Sequence, residues 1–167
     1  MLTVLLASIL LAGCETQSAT VIYEPGKPPA ERVVRVDPCL DRTGFKGGRD
    51  LGTEATEVLI SKVRGGGVFE VKAEAPLMLT CDIERFAAGS AVKRWLLPGW
   101  GQTQAGLTVM LWKMPEQEVL ATFKNLSAVR GGGLFTIGAD QYILDVAIGD
   151  IVGQLEAWAK GERPGAD

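Results

Sequence analysis

The chain has 167 residues, 47% of them apolar, which is typical of one folded domain with a single core. Its formal net charge is −3 at pH 7, without the basic excess of a nucleic-acid-binding protein, so we expect no nucleic-acid partner. It contains no histidine, the commonest general base near neutral pH and the commonest metal ligand, which disfavours many enzyme classes.

The first fourteen residues resemble the export signal of a bacterial lipoprotein. An uncharged apolar run, Leu2–Ile9, is followed by Leu-Ala-Gly-Cys at positions 11–14, which resembles a lipobox. The run is well short of the roughly 20 residues of a membrane-spanning helix, so the sequence predicts a signal peptide over 1–13. We expect Cys14 to carry acyl chains, palmitate among them, that anchor the protein to a membrane. The alternative is a buried N-terminal strand or helix ending at a free cysteine.

The residue after Cys14 bears on the choice of membrane. In the lipoproteins that this signal resembles, Asp at that position favours retention in the inner membrane, and this chain has Glu15. We therefore expect the inner leaflet of the outer membrane, facing the periplasm, with the inner membrane as the alternative.

A segment with three prolines and few apolar side chains follows, at residues 15–31. This composition is typical of a flexible tether, which at about 3.1 Å per residue would reach roughly 50 Å from the membrane. The sequence thus predicts a signal peptide (1–13), a lipidated cysteine with a tether (14–31), an α/β domain (32–161) and a short tail (162–167).

The first half of the predicted domain contains three strand patterns and one helix pattern. Val33–Val36 predicts a short buried strand. From Leu51 to Val63 apolar residues recur every three or four positions, between a fitting N-cap at Asp50 and a glycine stop at 65–67, which predicts a helix. A second strand is suggested by Phe69 and Val71, and a third by the alternating apolar residues Leu77, Leu79, Cys81 and Ile83.

The second half predicts a hairpin and a long helix. Two alternating runs, 103–113 and 118–126, are joined by a short turn that contains Pro115. An apolar stripe from Leu144 to Trp158 predicts the second helix, ending near Gly161. The sequence therefore predicts a single α+β or α/β domain. Its mixed sheet of four to five strands carries two helices packed on one face, in the order β-α-β-β-β-β-α.

Two cysteines remain after Cys14, namely Cys39 and Cys81. An oxidising periplasm allows such a pair to form a disulfide, and adjacent strands would bring the two together. A disulfide needs a Cα separation under about 7 Å, which the sequence does not give. The alternative of two separately buried thiols therefore stays open.

A loop between the third strand and the hairpin concentrates aromatic, apolar and basic residues. Its candidate docking residues are Lys93, Arg94, Trp95, Leu96, Leu97 and Trp100. In one interpretation the two Trp side chains bury against a partner or the lipid interface, while the basic pair meets acidic groups or phosphates. In the other, the loop folds back and caps the sheet, because small domains often complete their cores with loop aromatics.

Other candidates for chemistry have simpler structural explanations. Neither glycine triplet, at 65–67 or 131–133, is followed by the Gly-Lys-Ser/Thr of a phosphate-binding loop. Asp82 and Glu84 share a strand face, as a catalytic pair of carboxylates would, but alternating acids on an exposed strand are usually solvated surface residues. The sequence also has no motif that pairs a nucleophile with a base. We therefore expect a non-enzyme with no catalytic residue, no cofactor and no metal site.

Three segments carry a family resemblance: Arg49–Gly67, Cys81–Gly89 and Gly99–Leu120. Together they resemble the glycine-rich bacterial lipoproteins known as the domain of unknown function DUF4410, in which a hairpin ends in Gly-Glu-Val-Leu-Ala. Residues 118–121 match that ending, with Gln117 in place of the glycine. The strand order is more distantly similar to the periplasmic domain of the curli-secretion lipoprotein, and a shared fold does not by itself transfer function.

These observations favour a non-enzymatic, lipid-anchored periplasmic module that binds another envelope component. The expected partner is an envelope protein or a peptidoglycan-associated component, bound through the Trp-containing loop or an exposed sheet edge. The alternative is a module that holds a small amphiphilic ligand between sheet and helices, which requires an apolar cavity of about 300 Å³ or more.

Overall fold

The computed structural model of the protein describes residues 16–23, 25–90, 93, 101–129 and 138–162, which form one mixed sheet and two helices. The strands are β1 (Thr16–Tyr23), β2 (Val33–Val36), β3 (Leu40–Asp41), β4 (Glu70–Val71), β5 (Leu77–Ala87), β6 (Thr103–Lys113) and β7 (Glu118–Val129). The helices are α1 (Leu51–Gly66) and α2 (Ala139–Ala159).

The sheet has the strand order β1-β7-β6-β5-β2-β4, with β3 also paired to β5. The strands β1, β7, β6 and β5 pair with one another antiparallel, whereas β2 and β3 pair parallel with β5, and β4 pairs parallel with β2. The chain passes from β3 to β4 through α1, the kind of long connection that parallel strands in one sheet require.

The hydrophobic core lies between the helices and one face of the sheet. In the row Ile22, Phe123, Val109 and Cys81, neighbouring strands place apolar side chains side by side on that face. The helix α2 covers it with fully buried side chains that recur along the helix, namely Ile143, Leu144, Ala147, Ile148, Ile151 and Leu155. The predicted packing of both helices on one face is therefore confirmed.

The predicted limits of the first helix are also confirmed. Asp50 is the N-cap of α1, and its carboxylate accepts a hydrogen bond from the Thr53 backbone N–H at 3.0 Å. Hydrogen bonds from Thr53 lower the pKa of Asp50 below its ordinary value, because they stabilise the ionised form. Gly67 ends the helix with a φ of 74°, a conformation that glycine adopts without steric strain.

The sheet is larger than predicted because β1 and β3 were not expected. Residues 16–23 form the edge strand β1, so the first half of the predicted tether is part of the sheet. Its inward positions hold Thr16, Ser18 and Thr20, which gives the strand no apolar alternation in the sequence. The predicted signal peptide (1–13), Cys14, Glu15 and residues 163–167 lie outside the described residues.

The register of the strands defines two ends of the sheet. At one, here called the Thr16 end, Thr16 and Thr103 both lie opposite Val129. At the other, the Tyr23 end, lie Tyr23 and the turn between β6 and β7. Both helices begin at the Thr16 end, where Arg49, just before α1, donates a hydrogen bond to the Asp140 backbone carbonyl at 2.8 Å.

Candidate docking surfaces

Cys39 and Cys81 are joined as a disulfide in the structure, with their Cα atoms 4.5 Å apart. Both residues are buried, and the bond connects the segment between β2 and β3 to the middle of β5. The backbone N–H of Cys39 also donates to the Thr56 hydroxyl of α1 at 2.8 Å. The two cysteines are 42 positions apart in the sequence, and α1 lies between them. The bond therefore connects β5 to the part of the chain that precedes α1.

Of the predicted docking residues in the Trp-containing loop, the structure describes only Lys93, which is exposed. Arg94, Trp95, Leu96, Leu97 and Trp100 lie outside the described residues. The two ends of the loop are held together at the Thr16 end, where the Ser90 backbone N–H donates to the Gly101 carbonyl at 2.9 Å. The loop therefore leaves and re-enters the sheet at its Thr16 end.

The face of the sheet opposite the helices, here called the open face, carries a cluster of exposed apolar side chains. The exposed large apolar residues among those described are Val21, Tyr23, Leu40, Val119 and Leu126. Strand register puts all five on the open face: Val21, for example, shares a row with Lys124, Thr108, Asp82 and Leu40. Apolar surface collected on one face indicates an interaction site rather than random exposure.

Polar side chains on the open face bind one another. The Thr108 hydroxyl donates to the Glu84 carboxylate at 2.7 Å, and the Trp112 indole N–H donates to the Thr80 hydroxyl at 2.9 Å. Asp82 pairs with Arg42 at 3.4 Å. Both predicted solvated acids thus have partners, so the face offers to another molecule its five exposed apolar side chains and the cations Arg85 and Lys124 beside them.

The attachment of β1 to α2 depends on a polar network that the sequence did not predict. The Asp150 carboxylate oxygen accepts hydrogen bonds from the hydroxyls of Ser18 at 3.0 Å and Thr20 at 2.6 Å. It also accepts one from the buried Asn125 amide at 2.9 Å, and the Ser127 hydroxyl donates to Asn125 at 2.8 Å. The inward hydroxyl side chains of β1 are therefore stabilised by hydrogen bonds to a carboxylate of α2.

The outer edge of β1 differs from the usual protected edge strand. The eight residues of β1 contain no charged residue and no proline, and they pair only with β7 on one side. Natural edge strands normally carry charges, prolines or bulges that prevent pairing with another chain. Among the described strands, the stretch Ser18–Tyr23 of β1 has a neighbour on one side only, so its outward backbone groups can accept an added strand.

Two surface clefts lie at the margin of the core, where α1 meets the sheet. One, of about 420 Å³, is lined by Arg32, Arg64 and Phe69 near the end of α1. The other, of about 360 Å³, lies beside Cys39 and Asp50. Within the described ranges, no three His, Cys, Asp or Glu residues are grouped as metal ligands, and no helix is long and apolar enough to cross a membrane.

Comparisons with known proteins identify the fold. No family model and no curated protein matches the chain. The solved dodecamer of PelC from Paraburkholderia phytofirmans matches with TM-scores of 0.58 and 0.56 in two crystal forms, at 16% identity, over 84% of this chain and 98% of that one. A DUF330 protein from Xanthomonas campestris matches with a TM-score of 0.58 and 13% identity, over 84% of this chain and 95% of that one. These likenesses establish a shared fold, and the resemblance to DUF4410 stays a prediction.

Proposed function

We propose that the protein is a non-enzymatic lipoprotein of the bacterial cell envelope whose domain binds another envelope component through its open face and its β1 edge. The observation that carries this proposal is the collection of exposed apolar side chains on one face of the sheet, over a core that is itself filled. Val21 and Tyr23 lie on the edge strand β1 itself and Leu126 lies on the neighbouring β7, so exposed apolar side chains adjoin an uncharged strand edge.

Membrane anchoring is the second part of the proposal. Its support is the lipobox-like sequence that ends at Cys14, together with the disulfide between Cys39 and Cys81, which suits an oxidising compartment. We keep the periplasmic side of the outer membrane as the proposed location, with the inner membrane as the alternative. Because β1 begins at Thr16, the anchor would hold the domain close to the bilayer rather than at the end of a long tether.

The proposed partner is an envelope protein or a peptidoglycan-associated component, and a second copy of this chain belongs among the candidates. PelC, which shares the fold, is a dodecamer, and this supports testing self-association. An added strand at β1 would extend the sheet and place its own side chains next to Val21 and Tyr23.

The alternative function, a holder for a small amphiphilic ligand, has less support. The sheet–helix interface that would hold such a ligand is filled by side chains such as Phe123, Leu144 and Ile148, which have no exposed surface. The two described clefts are open at the surface where α1 meets the sheet; one is lined by two arginines and the other includes Asp41, Asp50 and Glu57. Binding of a lysolipid or fatty acid by purified protein, at one molecule per chain, would favour this alternative.

Photo-cross-linking in intact cells tests the proposed surface. A photoreactive residue at Val119 or Leu126 is expected to yield one defined product, either a dimer of this chain or an adduct with one envelope protein identified by mass spectrometry. The matched control is Ser61, which is exposed on α1 on the opposite side of the sheet. Equal products from Ser61 and Leu126, or none from either open-face site, would contradict the proposal.

A further inference from the structure

We infer that the Thr16 end of the sheet lies on the bilayer surface, where Lys46 and Lys93 bind the phosphate groups of acidic lipids. This inference rests on the proposed lipid anchor at Cys14. It goes further by giving the domain a fixed orientation and by assigning a headgroup-binding role to two side chains.

The chain between the proposed anchor at Cys14 and the sheet is very short. Only Glu15 separates Cys14 from Thr16, the first residue of β1. Two residues of fully extended chain span at most about 7 Å, so the acylated cysteine must lie within that distance of the Thr16 end. A domain tied to a bilayer so closely presents this end, and not the Tyr23 end, to the lipid headgroups.

The two lysines lie at this end and are available to a ligand. Phe45 packs edge-on against Phe86 with ring centroids 4.9 Å apart, which holds Lys46 beside the end of β5. Lys93 follows Ser90, which closes the neck of the loop with Gly101. Both lysines are exposed, and no described carboxylate forms an ion pair with either of them.

The sequence of the connecting segments adds charge complementarity. Those that leave the Thr16 end, residue 15 and residues 42–50, 88–102 and 130–137, contain six basic and two acidic residues. Those at the Tyr23 end, residues 24–32, 72–76 and 114–117, contain three basic and four acidic residues. Basic residues near an anionic leaflet attract its headgroups. Trp is enriched at membrane interfaces, and the segment 88–102 contains two, Trp95 and Trp100.

Lysine labelling of the acylated protein in vesicles tests the orientation. With vesicles that contain phosphatidylglycerol, an amine-reactive reagent is expected to modify Lys46 and Lys93 several-fold less than in detergent, while Lys27 and Lys160 at the Tyr23 end react equally in both. In pure phosphatidylcholine vesicles the protection of Lys46 and Lys93 should diminish, because the headgroup layer carries no net charge. Equal labelling at the two ends, or the same protection in both lipids, would overturn the inference.

A second measurement does not depend on acylation. Residues 14–167 with Cys14→Ser contain every described residue and can be sedimented with phosphatidylglycerol vesicles. Adding Lys46→Gln and Lys93→Gln should weaken binding about thirtyfold, since each lysine near an anionic surface contributes on the order of 1 kcal/mol. The matched pair Lys27→Gln and Lys160→Gln should leave binding unchanged.

The two measurements separate the inference from the proposed anchor. A mass spectrum that shows Cys14 without acyl chains would refute the anchor, while the sedimentation of the unlipidated chain would still decide headgroup binding. Equal loss in both pairs of variants, or no binding by the parent chain, would refute headgroup binding even if Cys14 is acylated.

Discussion

The two edges of the sheet are held and protected in opposite ways. At one edge β4 has only two residues, and Glu70 within it forms an ion pair at 2.9 Å with Lys72, the residue that follows the strand. At the other edge β1 has eight uncharged residues and is attached through hydroxyls that bind Asp150. The β4 side also contains the disulfide, whereas β1 has no covalent connection to its neighbours among the described residues.

The two halves of the domain therefore differ in role: one contributes to stability, and the other is accessible to a binding partner. A short, charged edge resists the addition of another strand, and a long uncharged edge permits it. The side of the sheet with the cross-link supports the fold, and the side with the open edge and the exposed apolar residues is the one that we assign to binding.

Removal of the disulfide is expected to have the largest effect. Replacing Cys39 and Cys81 by Ser should lower the free energy of unfolding by about 4 kcal/mol, because a closed loop of this length restricts the unfolded chain. Urea unfolding with and without reductant measures this. Reductant should destabilise the parent protein and leave the double variant unchanged; equal stability of the oxidised parent and the variant would contradict the prediction.

Asp150→Ala is expected to loosen the β1 edge selectively. The change leaves the buried Asn125 amide and two hydroxyls without their shared acceptor, at a cost of about 2 kcal/mol. Amide hydrogen exchange should accelerate in β1 and not in β5. The control is Asp150→Asn, which keeps an acceptor oxygen and should exchange more slowly than the Ala variant; uniform acceleration across the sheet would show that Asp150 does not act specifically on β1.

Val21→Lys is expected to separate binding from folding. Val21 is 52% exposed on the open face, so a lysine there should cost no more than about 1 kcal/mol, chiefly through repulsion from Lys124 directly opposite. A charge beside the strand edge should nonetheless reduce cross-linking from Leu126 about tenfold, since charged edge residues oppose strand addition. Ser61→Lys on α1 adds the same charge without this effect. Unchanged cross-linking in the Val21 variant would exclude the β1 edge from the interface.

Trp95→Ser combined with Trp100→Ser distinguishes docking from capping by the Trp-containing loop. If the loop docks, capture of the partner should fall about tenfold while the melting temperature is retained, because interface Trp side chains often contribute strongly to binding. If the loop caps the sheet, the melting temperature falls instead. Circular dichroism melting beside the cross-linking yield measures both quantities on the same preparation.

Acidification through the titration of Asp50 is expected to have the smallest effect. The pKa of Asp50 is depressed in the folded protein, from an ordinary value of 3.8, so its stabilising contribution is present above that value. It is lost as the pH falls through the lower folded pKa. The melting temperatures of the parent and of Asp50→Ala should therefore differ near neutral pH and converge in strong acid; a constant difference would show that the ionised carboxylate is not what caps α1.

The sequence determined those elements whose signals are local. Alternation from Leu77 to Ile83 specified which face of β5 is buried, and the capping pair Asp50 and Gly67 specified the limits of α1. The hairpin of β6 and β7 and the helix α2 followed from the same kinds of periodicity. Such patterns are readable because each depends on neighbours within a few positions.

Only the tertiary structure decided the features now assigned to binding. The strand β1 has no apolar pattern because its inward hydroxyls meet Asp150, which lies 132 positions beyond Ser18 in the chain. Strand register places Val21 and Leu40 on the same face of the sheet, although they lie on strands that are far apart. The bond between Cys39 and Cys81 requires a short Cα distance, which their spacing in the sequence does not specify. Long-range pairing sets these contacts, and local sequence does not encode which distant partner a strand or side chain will meet.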